Sequence, residues 1–93
     1  MKRHFTRIQI ASLLEIEEGF VIELERHELI VADRDERFDA RSLERVRVCW
    51  TMHDHLGVNI AGLEVAIHLL ERWQDERRRV HALIEELKSE RED

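Results

Sequence analysis

Between Val58 and Leu87 the hydrophobic positions keep a helical period, with no breaker after Gly62. Leu63, Ala66, Leu70, Trp73, Arg77, Val80, Ile84 and Leu87 recur at alternating steps of three and four. That is the seam of a coiled coil rather than the wider stripe of an ordinary surface helix. Val65, Ile67 and Leu69 add apolar surface off the seam in the first half, so the early turns are expected to touch a globular core. Beyond Trp73 only the seam, with Leu83 beside it, stays apolar among charged neighbours such as Asp75, Glu76, Arg78 and Glu85. The pattern predicts one long helix whose distal half projects and pairs with a second copy through Leu70, Trp73, Arg77, Val80, Ile84 and Leu87. Arg77 is the polar seam residue, placed to set orientation by pairing with a carboxylate across the interface. The competing expectation is a helix folded back on its own domain.

Upstream, the elements are shorter. Thr6 is an N-cap candidate with Gln9 completing a capping box, and Phe5 is placed to staple onto Ile10, so a helix is expected from about Arg7 to near Glu15. A second helix is read over Ile16–His27, with Ile16, Phe20, Val21 and Leu24 inward, and the two make a helix-turn-helix. Leu29–Val31 and Arg37–Phe38 read as the strands of a small hairpin or wing around a charged turn, and His4–Phe5 as a further short extended piece. Asp39 caps a third helix with Leu43, Val46, Cys49, Trp50 and Met52 inward, Gly57 ends it, and Asn59 caps the long helix. The expected organisation is a compact unit over 1–57 and a long helix over 58–93.

Charge changes the picture most on the second helix. Over Glu17–Glu28 five glutamates stand against Arg26, a net −4, within a chain of 93 residues whose net charge is −6 and whose charged fraction is 39%. An acidic helix in the place of a recognition helix is either a solvated face or a landing site for a basic partner surface, and the acidic balance opposes non-specific nucleic-acid binding, which needs Lys and Arg on phosphates. The size leaves no room for a large catalytic cleft, and an oligomer interface would add materially to the buried surface. With neither a long apolar run nor a cleavable leader, the expected setting is cytoplasmic, with no membrane partner.

Candidate chemistry is sparse. Cys49 and His53 are four apart and share a helical face, but His55 points elsewhere and no fourth ligand is near, so no metal site is expected. The single Cys49 excludes an intramolecular disulfide. No phosphate loop, nucleophile elbow or oriented Cys/His pair appears, so neither catalysis nor a cofactor is expected.

The order of helix-turn-helix, wing, third helix and long helix resembles the MerR-type winged helix-turn-helix, a mainly α fold with a small β wing and a C-terminal dimerisation helix. Leu56-Gly57-Val58-Asn59-Ile60-Ala61-Gly62 is similar to the corresponding turn of the heat-shock repressor HspR and its relatives. The DNA-reading pattern of that family departs here. Gly19, Ile22, Glu23 and Leu24 stand where its second helix typically offers Arg-x-x-Arg-Tyr-Tyr, Glu15 stands for the customary turn glycine, and the wing reads Glu36-Arg37-Phe38-Asp39. These departures resemble the chaperone-modulator family, CbpM, with its acidic second helix and Phe-Asp at the wing's end.

That resemblance implies a non-catalytic inhibitory adaptor that binds the J domain of a CbpA/DnaJ-type co-chaperone and restrains its activity. The implied partner surface comprises Glu17, Glu18, Glu23 and Glu25, with Arg37 as a candidate anchor and Phe20 and Phe38 expected in the core, with an anchor role as the alternative. The alternative is a MerR/HspR-type transcriptional regulator, with Arg34, Arg37, Arg41, Arg45 and Arg47 as phosphate contacts. Base reading would then need donors that the second helix lacks.

Overall fold

The computed structural model describes residues 3–91 and consists of four helices: α1 Arg7–Leu14, α2 Glu18–Arg26, α3 Ala40–Leu56 and α4 Ile60–Arg91. Local chemistry starts three of them. The Thr6 hydroxyl accepts from the Gln9 amide at 3.2 Å and the Gln9 side chain accepts from the Thr6 amide at 2.9 Å, closing the predicted capping box. Asp39 accepts from the Ser42 amide and Asn59 from the Gly62 amide, at 2.9 and 2.8 Å. Each bond satisfies one of the orphan donors of a first helical turn. Gly62 keeps space for that last cap, since a Cβ there would stand 2.7 Å from a Val58 methyl and 3.3 Å from the Asn59 oxygen.

The helix ends are less ordinary. Gly57 closes α3 in the left-handed region at φ 67°, as glycine does readily. At the ends of α1 and α2 the same conformation falls on glutamates, Glu15 at φ 57° and Glu28 at φ 59°. In both, the following amide reaches back five residues, Ile16 to the Ala11 carbonyl and Leu29 to the Leu24 carbonyl, both at 2.9 Å, the bond pattern of a Schellman ending. With Glu17 as its N-cap and His27 as its C-cap, the second helix is shorter at both ends than the expected Ile16–His27.

The predicted hairpin between Leu29–Val31 and Arg37–Phe38 does not form. Leu29 gives its amide to the end of α2 and its carbonyl to Arg45 at 3.1 Å, so its backbone is spent before a ladder begins. Leu29 and Ile30 instead cover the core as irregular chain. The wing is a tight turn in which the Asp33 carboxylate accepts from the amides of Asp35 and Arg37 at 2.9 Å, with Glu36 left-handed at φ 58°. Its end pairs with the start of the chain: Phe5 and Phe38 form an isolated antiparallel bridge with bonds of 2.8 and 2.7 Å.

The core lies where the helices meet. Ile10 and Ala11 of α1, Val21 and Leu24 of α2, Val46 and Cys49 of α3, and Leu63 and Ile67 of α4 are buried around Phe38. Burying Leu63 changes the reading of the coiled-coil seam. That residue belongs with Ile67 to the domain's own core, and the apolar stripe left facing outward starts at Leu70. Polar contacts hold the first half of α4 down, an ion pair from Arg45 to Glu71 at 2.8 Å and a hydrogen bond between His27 Nδ1 and Glu64 at 2.6 Å. From Arg72 to Glu90 every residue of α4 is exposed. At 1.5 Å per residue the whole helix runs about 48 Å, which accounts for most of the longest dimension of 56 Å.

Candidate functional site

The α1–α2 turn, the first half of α2 and the middle of α3 enclose an open groove of about 610 Å³. Its position follows from the helix-turn-helix. The left-handed Glu15 turns the chain so that Ile16 and Glu17 stand beside the start of α2, and α3 crosses behind with Trp50 and His53 one turn apart. Glu15, Glu17 and Glu23 lie along the groove, and Phe20, Trp50 and His53 form its aromatic floor. The Phe20 and Trp50 rings meet edge to face, centroids 5.1 Å apart at 82°. The His53 ring lies 5.3 Å from Phe20 and 5.9 Å from Trp50, held by a hydrogen bond from Nδ1 to the Val58 carbonyl at 2.9 Å. That geometry gives His53 a structural hold on the α3–α4 turn as well as a place on the floor.

The charge on the rim is largely unspent. Glu15, Glu17 and Glu18 have no ion-pair partner among the described residues, while Glu23 meets only its own helix, Arg26 at 3.4 Å and the His27 ring at 3.5 Å. Glu25 is placed differently. Its carboxylate takes both Arg7 nitrogens, Nε at 2.6 Å and Nη2 at 2.7 Å, on the side of α2 that meets α1. The hydrogen bond from Arg7 holds the Glu25 carboxyl below the usual carboxylate range. The same guanidinium lies 5.5 Å from the Phe38 ring centre. Glu25 is thus a clamp between α1 and α2, its carboxylate already engaged within the domain and not free as those of Glu17 and Glu18 are.

Arg37 is exposed on the wing, far from the groove floor in sequence and engaged through its backbone with Asp33. Phe38 is fully buried, so it belongs to the core, whereas Phe20 is half-buried with its ring on the groove. Cys49 is also fully buried, and that burial pushes its thiol up to about 11, leaving an inert core residue. Among the described residues no group of three His, Cys, Asp or Glu is arranged to hold a metal ion. No described helix is long and apolar enough to cross a membrane.

Of the five arginines read as phosphate contacts, two have carboxylate partners, Arg45 half-buried in the domain and Arg47 on its exposed surface. Arg45 bonds Leu29 and Glu71, and Arg47 pairs with Glu44. Arg34, Arg37 and Arg41 are exposed and have no ion-pair partner among the described residues. On α4, Leu70, Trp73, Val80, Ile84 and Leu87 are exposed, and Arg77 lies over the Trp73 ring at 4.9 Å from its centre. The floor of the groove was not assembled by sequence reasoning, which placed Trp50 simply on the inward face of α3 and left His53 as a rejected ligand. The available signal was the spacing of Trp50 and His53, but its meaning depends on Phe20, 30 residues away on another helix.

No curated protein and no solved structure shows significant similarity to the chain. Over residues 5–85, spanning all three short helices, the wing and most of α4, it matches the family model described as MerR HTH family regulatory protein, and the chain therefore belongs to the MerR helix-turn-helix family of regulatory proteins.

Proposed function

We propose that this chain is a non-catalytic, inhibitory adaptor that binds the J domain of a CbpA/DnaJ-type co-chaperone in the cytoplasm. The observation that carries the reading is the surface of the helix-turn-helix, where Glu15, Glu17, Glu18 and Glu23 stand with little internal compensation. A DNA-reading helix needs guanidinium or amide donors in those places, and carboxylates there repel phosphates. They suit a basic helix instead. The mechanism is occupancy: the glutamates engage the lysines and arginines that the J domain presents to its chaperone, so delivery to that chaperone is blocked. Glu25 contributes indirectly by fixing α2 against α1, and Arg37 reaches a neighbouring acidic part of the partner. The exposed stripe of α4 joins two copies through Leu70, Trp73, Arg77, Val80, Ile84 and Leu87.

Titration with a purified J domain tests this. Binding is expected, with an association rate that falls as salt rises from about 0.05 to about 0.3 M, because screening shortens the reach of steering charges. Glu17→Lys with Glu23→Lys reverses the rim charge without touching the Arg7–Glu25 clamp, and is expected to abolish most of the affinity with the circular dichroism unchanged. Equal binding by the double variant refutes the reading.

A DNA-binding regulator is the second reading, and the exposure of Arg34, Arg37 and Arg41 beside the wing favours it. It requires a protected footprint on duplex DNA at about 0.15 M salt that is lost on Arg37→Ala with Arg41→Ala. No such footprint is expected.

A further inference from the structure

We propose that the groove on the helix-turn-helix is a receptor for one cationic side chain, a lysine or arginine projecting from a partner's basic surface, and that its aromatic floor sets the specificity. From the adaptor reading it takes only the premise that the partner surface is basic.

Phe20, Trp50 and His53 pack against one another, Phe20 edge to face with Trp50 at 82° and tilted 31° to His53, into one aromatic cluster that floors the groove. A cation within about 6 Å of an indole face is attracted by the ring's quadrupole, and more strongly when water is displaced. Ile16 and Ile60 also line the groove and give the aliphatic stem of a Lys or Arg an apolar surface to lie along. Glu15, Glu17 and Glu23 then lie near the charged head.

The alternatives fit worse. An apolar plug would match the floor but strip water from three carboxylates without offering them a partner, and an anion would meet them directly. Among the described residues no lysine or arginine lines the groove, so none of them supplies the charge it suits.

The chain carries two tryptophans, Trp50 in the groove and Trp73 on α4, so indole N–H signals report the groove with an internal control. The uniformly ¹⁵N-labelled protein is titrated with capped tetralysine and tetraglutamine peptides, and then with the J domain. Tetralysine and the J domain are expected to move the Trp50 indole signal, while tetraglutamine does not and Trp73 stays still with both peptides. Trp50→Leu, which keeps an apolar side chain but removes the π face, is expected to weaken J-domain binding about tenfold, and Trp50→Phe to restore most of that loss.

A Trp50 indole that ignores tetralysine overturns the proposal, as does a folded Trp50→Leu variant that binds the J domain as tightly as the parent. Should Trp50→Leu fail to fold, the peptide titrations of the parent protein still decide. A response to tetralysine with no J-domain binding sinks the adaptor reading and leaves the cation receptor standing. J-domain binding with Trp50 unmoved does the reverse.

Discussion

Three glutamates, Glu15, Glu28 and Glu36, sit at φ between 57° and 59°, where a side chain's Cβ crowds the following carbonyl. The left-handed region costs a residue with a Cβ about 1–2 kcal/mol relative to its preferred conformations. Glycine escapes that penalty but gives up roughly 0.5–1 kcal/mol of extra freedom in the unfolded chain. The difference predicts that Glu15→Gly stabilises the fold by about 0.5–1 kcal/mol, a rise in melting temperature of roughly 2–8 °C for a domain of this length. Gly57→Ala supplies the converse. A Cβ at Gly57 meets nothing within 4 Å, so any loss there reports the backbone at φ 67° and not a clash.

Two further variants isolate the cause. Glu15→Gln keeps the Cβ and removes the charge, so it should leave the backbone contribution in place. Glu17→Gly acts at an extended N-cap, φ −73° and ψ 137°, where glycine relieves nothing. Thermal melts by circular dichroism at one pH and protein concentration measure all four. If Glu15→Gln stabilises as much as Glu15→Gly, relief of repulsion among the rim carboxylates is responsible and the conformational account is wrong. A lower melting temperature for Glu15→Gly refutes it outright. If Glu15 serves the cation receptor, the same glycine variant should gain stability while losing affinity for a basic partner.

The remaining expectations are more direct. Leu63→Ala, which removes the fully buried side chain joining α4 to the core, should cost about 2–5 kcal/mol in urea unfolding; a loss well under 1 kcal/mol would mean that α4 is not integral to the domain. Arg7 holds Glu25 low, and the Ser42 amide chiefly does the same for Asp39. For groups with depressed folded values, the stabilisation is complete above the ordinary carboxylate range and is lost as pH falls through it. Melting temperature should therefore drop on acidification below about pH 4.5, and Arg7→Gln should flatten that limb. Cys49 acts with the opposite sign, its stabilisation being lost as pH climbs from the ordinary thiol range toward 11. Trp73→Glu with Ile84→Glu should convert a sedimenting dimer to monomer at micromolar concentration, since each buried large side chain contributes roughly 1.5–3 kcal/mol; an unchanged sedimentation coefficient would remove α4 from the interface.

Local chemistry made much of this protein legible from the sequence alone. Thr6, Asp39 and Asn59 start helices because a cap is a bond between residues three apart, and Gly57 ends one because a turn needs its conformation. The acidic second helix was legible for the same reason: charge is a property of the residues and survives any packing. Tertiary structure decided what those charges face. Whether Glu25 is free or clamped depends on Arg7, eighteen residues away, and whether Leu63 lies on a partner seam or in the core depends on how α4 enters the domain. The strand reading of Leu29–Val31 failed because β pairing needs backbone groups that Leu24 and Arg45 had already taken. The aromatic floor exists only where α2 and α3 cross, a juxtaposition that no period along the chain encodes, because contact between distant rings is set by how helices pack and not by how residues are spaced.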